Sequence, residues 1–322
     1  MLAIIFAADL VLGAVLEGLL LPLLRRLKAG QSIREDGPKE HLKKAGTPTM
    51  GGIAIIIPIA LTGFALSRLY PQERYSFMWI SLCALLYGLI GFVDDFIIVV
   101  KKNNEGLKPK QKLALQILVA VIYAISEYHY GHMVYVPFFG ASVNLGLLTV
   151  PFLAFVMVAM TNAVNLTDGL DGLSSSVTIA AAAFFCWEFF SGSSAPKDFA
   201  GSAMAAAVMG SCAAFLLYNR HPAKVFMGDT GSLALGGAMA AIGIAMKLDL
   251  FLPIAGGIYV AEALSVIIQV YVFKTQNGRR FFRMSPLHHH FELGGMHETK
   301  VVRLFATLTL VFCLIALGLS IL

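Results

Sequence analysis

Apolar residues in this chain run in long blocks, starting with MLAIIFAADLVLGAVLEGLLLPLL. Ten blocks can be marked off, at 1–24, 50–70, 76–96, 113–130, 146–164, 173–191, 200–218, 231–247, 250–273 and 301–322. A stretch of about 20 apolar residues crosses the hydrocarbon of a bilayer as one helix. The pattern therefore predicts an all-α polytopic membrane protein of about ten transmembrane helices, forming one integral domain over 1–322. The first block carries Asp9 and Glu17 and lacks a small-residue cleavage site ahead of a polar chain. It is expected as a retained helix and not as a removed signal.

Composition supports that class. Hydrophobic residues make up 58% and charged residues 13%, against roughly 45–50% and about 25% in a soluble domain. Polar surface on that scale is too small to cover the particle in water. The four cysteines, Cys83, Cys186, Cys212 and Cys313, all fall inside apolar blocks with no CxxC pair, and read as packing residues.

Charge sets the expected orientation. Arg25, Arg26, Lys28, Arg34, Lys39, Lys43 and Lys44 follow the first block, and Lys101, Lys102, Lys108, Lys110 and Lys112 follow the third. Arg220 and Lys224 follow the seventh; Lys274, Arg279, Arg280, Arg283 and Lys300 follow the ninth. The alternate loops hold Arg68, Arg74, Lys197 and Lys247. The positive-inside rule places the basic loops in the cytoplasm, so both termini are expected outside.

The acidic residues bring in the chemistry. GFVDDF places Asp94 and Asp95 at the expected cytoplasmic end of the third block. Paired carboxylates there are costly unless a cation or a wet cavity meets them. NAVNLTDGLDGL places Asn165, Asp168 and Asp171 at spacing i, i+3, i+6, one face if the segment stays helical. FMGDTGS places Asp229 just ahead of the eighth block, among glycines that let a ligand approach the backbone. Each motif taken singly also fits ordinary turn and cap chemistry. Five aspartates on one membrane face, in a chain with 19 acidic residues, are hard to assign to caps alone.

Aspartate and asparagine are hard oxygen donors and suit magnesium beside substrate phosphates. Lys43, Lys44, Lys110 and Lys112 are available as phosphate-holding point charges. The run His288, His289, His290 in SPLHHHFELGG lies on the polar stretch 274–300. It offers hydrogen bonds to phosphate or sugar. Zinc is the alternative, although adjacent histidines rarely share one tetrahedral ion and no cysteine accompanies them.

GFVDDF, NAVNLTDGLDGL, FMGDTGS and PLHHHFE, in this order and on alternate loops, resemble the polyprenyl-phosphate N-acetylhexosamine-1-phosphate transferase superfamily. HLKKAGTPTMGG (41–52) and PLHHHFELGGMHETKVV (286–302) resemble its muramoyl-pentapeptide branch. The resemblance covers about residues 30–303. It implies a magnesium-dependent enzyme of the bacterial cell membrane, often dimeric, with a cytoplasmic active site. The implied substrates are UDP-N-acetylmuramoyl-pentapeptide and undecaprenyl phosphate; nucleic acid is not among the partners.

The resemblance also assigns roles. Asp229 is expected to ligate magnesium, with Asp168. Asp94 and Asp95 would handle the lipid phosphate, Asp94 as the base. Asn165, Asp168 and Asp171 would shape the nucleotide and metal pocket. Asn219 and Phe226 would lie by the uridine. Lys44, Thr49 and Lys112 would contact phosphates or the sugar-peptide end, and Gln269 would also bind substrate. His288, His289 and His290 would grip substrate, His289 with a catalytic part. One departure concerns the lysine that many relatives carry a few residues after the paired aspartates. Here FIIVV follows, and Lys101 is the first base. A sister transferase using UDP-N-acetylglucosamine is the alternative activity, and an ion-coupled transporter, with acids near the bilayer midplane, the remote one.

Overall fold

The computed structural model describes residues 1–27, 44, 46–101, 106–191 and 196–321, apart from the Phe138 side chain. The readings for Lys28, Arg34, Lys39, Lys43 and Lys102 lie outside these residues. The helices are α1 (Leu2–Arg26), α2 (Ile53–Leu69), α3 (Arg74–Lys101), α4 (Pro109–Tyr130), α5 (Thr149–Thr167) and α6 (Leu173–Glu188). They continue as α7 (Phe199–Asn219), α8 (Gly228–Ala245), α9 (Leu252–Ala255), α10 (Gly257–Thr275), α11 (Leu287–Glu292) and α12 (Glu298–Ile321).

Each of the ten apolar blocks holds one long helix. Among the described residues, seven segments are long and apolar enough to cross a membrane: those ending at Arg26, Lys101, Tyr130, Thr167, Asn219, Thr275 and Ile321. The apolar helices α2 and α6 are shorter, at 17 and 16 residues. Large apolar side chains such as Ile4, Leu19, Ile267 and Leu314 point outward, as expected of a surface that meets lipid.

The eighth block is a core helix. Every residue of α8 from Thr230 to Ile244 is buried. It packs against α3, α5 and α7, while α1 lies on α7 and α12 on α6. The sequence GDTGSLALGGAMAAIGIA explains the position, because small residues let helix backbones come close. A Cβ on Gly236 would lie 2.5 Å from the Thr161 Cα of α5.

Four details depart from the apolar pattern. α3 runs on to Lys101, so Asp94 and Asp95 lie inside it and not at its end. α5 stops at Thr167, so Asn165, Asp168 and Asp171 do not share one helical face: Asp168 caps the helix and Asp171 sits in the turn before α6. The ninth block is broken at Gly256 into α9 and α10. The chain is also not purely helical, since β1 (Val134–Val136) and β2 (Ala141–Val143) pair antiparallel with Val134 opposite Val143. β1 and β2 are three residues each, too short and too local to register in a pattern read over whole blocks.

Candidate active site

α3 and α8 cross so closely at one end that a Cβ on Gly91 would fall 2.0 Å from the Asp229 carbonyl oxygen. Glycine at that position is what lets the two acidic segments meet. Oxygens of Asp94, Asp95 and Asp229 lie within 4.8 Å of one another.

The three carboxylates have different surroundings. Asp95 is buried, and its Oδ1 accepts the Asp229 N–H at 3.2 Å. Its Oδ2 accepts the Thr230 N–H at 2.9 Å and the Thr230 hydroxyl at 2.6 Å. Asp95 therefore caps the N-terminus of α8, whose first N–H groups have no intrahelical partner. Asp94 accepts the Leu107 N–H on Oδ1 at 2.9 Å. Asp229, in the first turn of α8, is a quarter exposed and pairs with the Lys112 ammonium of α4. Its Oδ1 accepts Asn165 Nδ2 at 2.8 Å, and the same amide donates to Ser232 Oγ at 2.8 Å.

Asp168 lies outside that triplet. Its half-buried carboxyl is pushed up to about 8, first by loss of solvation and then by the charges of Asp229, Asp95 and Asp171. Carboxylates this close repel one another, and a cation among them relieves that repulsion. Lys112 is the one positive partner that the triplet has among the described residues.

A second cluster lies on the turn between α5 and α6. Asp171 Oδ1 accepts the Lys44 ammonium at 2.7 Å; its Oδ2 meets His221 Nδ1 at 3.1 Å and the Ala223 N–H at 3.0 Å. Glu298, the first residue of α12, accepts Lys44 on Oε1 at 2.6 Å and the Asp171 N–H at 2.6 Å, with Oε2 3.2 Å from His221. Asp171, His221 and Glu298 have metal-ligand spacing, but the Lys44 ammonium fills the place a cation would take. Asn219 braces the same turn, accepting the Gly172 N–H and donating to the Val225 carbonyl, both at 2.8 Å.

The 48–52 segment lies along 226–227. The Phe226 N–H donates to the Pro48 carbonyl at 2.8 Å, and the N–H groups of Gly51 and Gly52 donate to Phe226 and Met227 at 3.0 Å. This sets Thr49 beside Gly228, where φ is +70° and a Cβ would crowd both Thr49 Oγ1 and Asp95.

The histidine run has three different environments. His288 is 1% exposed; its Nδ1 lies 2.9 Å from Glu262 Oε1 of α10, and the neighbouring Leu287 N–H donates to Glu262 Oε2 at 2.6 Å. Its Nε2 has no hydrogen-bond partner and faces Gly169. His289 pairs with Glu292 at 2.9 Å, and His290 Nδ1 accepts the Arg283 N–H at 3.2 Å. Gln269 Oε1 accepts the N–H groups of Phe281 and Phe282 at 3.1 and 2.9 Å, so it organises the loop ahead of α11. Lys110 is exposed.

Sequence reasoning singled out Lys44, Asp171 and His288 but not the groups that hold them. Glu298 and His221 stand inside the stretches PLHHHFELGGMHETKVV and YNRHPAK, without a local pattern to mark them. Glu262 lies deep in the ninth apolar block, and an acid there is itself a signal of function or pairing.

Helices of membrane-crossing length, with carboxylates and lysines gathered at one end, suit an enzyme that handles charged substrates at a membrane. Comparison with known proteins agrees. The glycosyl transferase family 4 model matches residues 77–247, and a phospho-N-acetylmuramoyl-pentapeptide-transferase signature matches residues 44–56. The phospho-N-acetylmuramoyl-pentapeptide-transferase of Acetivibrio thermocellus is 49% identical, over 96% of this chain and 91% of the relative. The enzyme of the same name from Anoxybacillus flavithermus is 47% identical over 98% and 97%. That from Caldanaerobacter subterraneus is 48% identical over 92% of each. The chain belongs to the phospho-N-acetylmuramoyl-pentapeptide-transferases of glycosyl transferase family 4.

Proposed function

We propose that this protein transfers phospho-N-acetylmuramoyl-pentapeptide from its uridine diphosphate carrier to undecaprenyl phosphate. The products are lipid I and uridine monophosphate. The observation that carries the reading is the meeting of Asp94, Asp95 and Asp229 beside Lys112, in a chain related nearly end to end to enzymes of that name. The reading includes a bacterial cell membrane, ten spans with both termini outside, this site on the cytoplasmic face, and a homodimer.

An oxygen of the lipid phosphate attacks the phosphorus that carries the sugar. The bond from that phosphorus to the uridine monophosphate oxygen breaks, and uridine monophosphate leaves with the electron pair. Both reactants are anionic, so repulsion is the main obstacle, and placement and charge do most of the catalysis. Lys112 supplies positive charge beside the carboxylate triplet, and Lys44 supplies it at the Asp171 turn, where it would help to place the donor. Asp95 holds the start of α8, and Asn165 orients Asp229. Asp94, the less occupied member of the pair, is the group available to the lipid phosphate.

Magnesium fits the donor set. Three carboxylates face one lysine, and all the candidate ligands are hard oxygens. Asp229 would hold the ion with Asp168, whose carboxyl feels the charges of Asp229 and Asp95. When bound, it would supply positive charge that offsets the charge on the leaving group.

The test is uridine monophosphate release by purified protein in detergent, with and without the lipid, magnesium, or a chelator, for wild type and Asp229→Ala. Release that needs the lipid, magnesium and Asp229 supports the reading. Release only with UDP-N-acetylglucosamine moves the chain to the sister activity. Silence with both donors, from protein shown to be folded, overturns it.

A further inference from the structure

We propose that Glu298 is a positioning residue for the nucleotide-sugar donor: it fixes the Lys44 ammonium and the Asp171 turn, and acts through them. The inference rests on the reaction proposed above and adds to it a residue on α12, far in sequence from every acidic motif.

Glu298 joins three parts of the chain at one carboxylate. Oε1 receives Lys44 Nζ and the Asp171 N–H, each at 2.6 Å, and Oε2 lies 3.2 Å from His221 Nδ1. Lys44 has a long flexible stem with a strongly hydrated head. Two carboxylates hold that head, Glu298 at 2.6 Å and Asp171 at 2.7 Å. The Glu298 and Asp171 side chains are 7% and 2% exposed, so these charged hydrogen bonds are little screened and strong. The base of the tether is rigid, since Val301 and Phe305, one and two turns further along α12, are buried in the core.

Glu298 also holds backbone, a contact that the amide oxygen of Glu298→Gln can keep, so that variant removes the charge that tethers Lys44. The Asp171 N–H lies in the turn that links the α5 cap, Asp168, to α6. Glu298 thus holds the turn from α12 while Asn219 holds it from the end of α7. Neither the carboxylate triplet nor Lys112 touches Glu298, so its loss should spare the transfer step and weaken placement of the donor.

The experiment compares wild type, Glu298→Gln, Glu298→Asp, Lys44→Ala and the Glu298→Gln/Lys44→Ala double variant. Four readouts are taken: thermal midpoint in detergent, kcat, KM for each substrate, and acylation of Lys44 by an amine-reactive ester, followed by mass spectrometry. Glu298→Gln is expected to raise the donor KM on the order of tenfold, with kcat and the lipid KM within about twofold and the midpoint unchanged. Lys44 is expected to acylate several times faster, Glu298→Asp to fall in between, and the double variant to bind donor no worse than Lys44→Ala. Kinetics equal to wild type overturn the proposal. So does a joint fall of kcat, lipid affinity and midpoint, which marks a merely structural role, and so do penalties that multiply in the double variant. Acylation reads the tether without the reaction. If wild type releases no uridine monophosphate, the proposed reaction fails, and the tether stands or falls on whether Glu298→Gln speeds Lys44 acylation.

Discussion

His288 Nε2 lies over the backbone of Gly169, so close that a Cβ on Gly169 would fall 2.1 Å from it. His288 is in turn fixed by Glu262 at 2.9 Å. A glutamate on α10 therefore presses an imidazole onto the glycine between Asp168 and Leu170. Gly169→Ala is expected to push the ring off, shift Asp168 and Asp171 and cut uridine monophosphate release at least tenfold, with overpacking costing about 1–3 kcal/mol. Gly318→Ala, whose Cβ meets nothing within 4 Å, is the control. Equal activity of the two variants would show that the contact does not matter.

The two adjacent aspartates should fail differently. Asp95→Ala strands two N–H groups and a hydroxyl at the start of α8. It is expected to lower the thermal midpoint and cost about 2–4 kcal/mol of stability. Asp94→Asn keeps an acceptor for the Leu107 N–H. It should leave the midpoint near wild type and reduce turnover by about two orders of magnitude. Thermal unfolding beside kinetics separates the two; the same loss of midpoint in both would refute the division.

Lys112 is the positive partner of Asp229. Lys112→Met is expected to reduce turnover about a hundredfold, with Lys112→Arg recovering part of it. Turnover of Lys112→Met within about twofold of wild type would refute a role for that charge.

At the other end of the bundle, His132 is buried, with Nε2 3.1 Å from Asp249 and Nδ1 3.4 Å from Glu127. Burial alone would lower its pKa, but the two carboxylates outweigh burial and raise it to about 9. The folded value is above the unfolded one, so the stabilisation is fully present below about pH 6.5 and is lost as pH rises through about 9. The thermal midpoint of wild type is expected to fall across that window by the equivalent of up to about 3 kcal/mol. His132→Gln should start lower and change less. A wild-type midpoint flat from pH 6.5 to 9.5 would refute the assignment.

Much of this molecule could be read along the chain. Hydropathy marked the ten long helices because each is a local property of about twenty residues. The motifs named Asp94, Asp95, Asp229, Asn165 and Lys112, and the fold brings these five together. Local spacing misled where the backbone changed direction. Asn165, Asp168 and Asp171 are spaced for a helical face, yet α5 ends at Thr167 and the three are placed by a turn.

What the sequence alone determined is the membrane class, the helices and the identity of the acidic motifs. What the tertiary structure decided is which charges meet. Glu298 reaches Lys44 across 254 positions, and Lys112 reaches Asp229 across 117. Such pairs depend on how closely helices pack, and that is set by small residues such as Gly91 and Gly236 facing particular neighbours. Hydropathy measures what a segment buries. It carries no information on which other segment buries it, so the roles of Glu298, His221 and Glu262 became visible only in three dimensions.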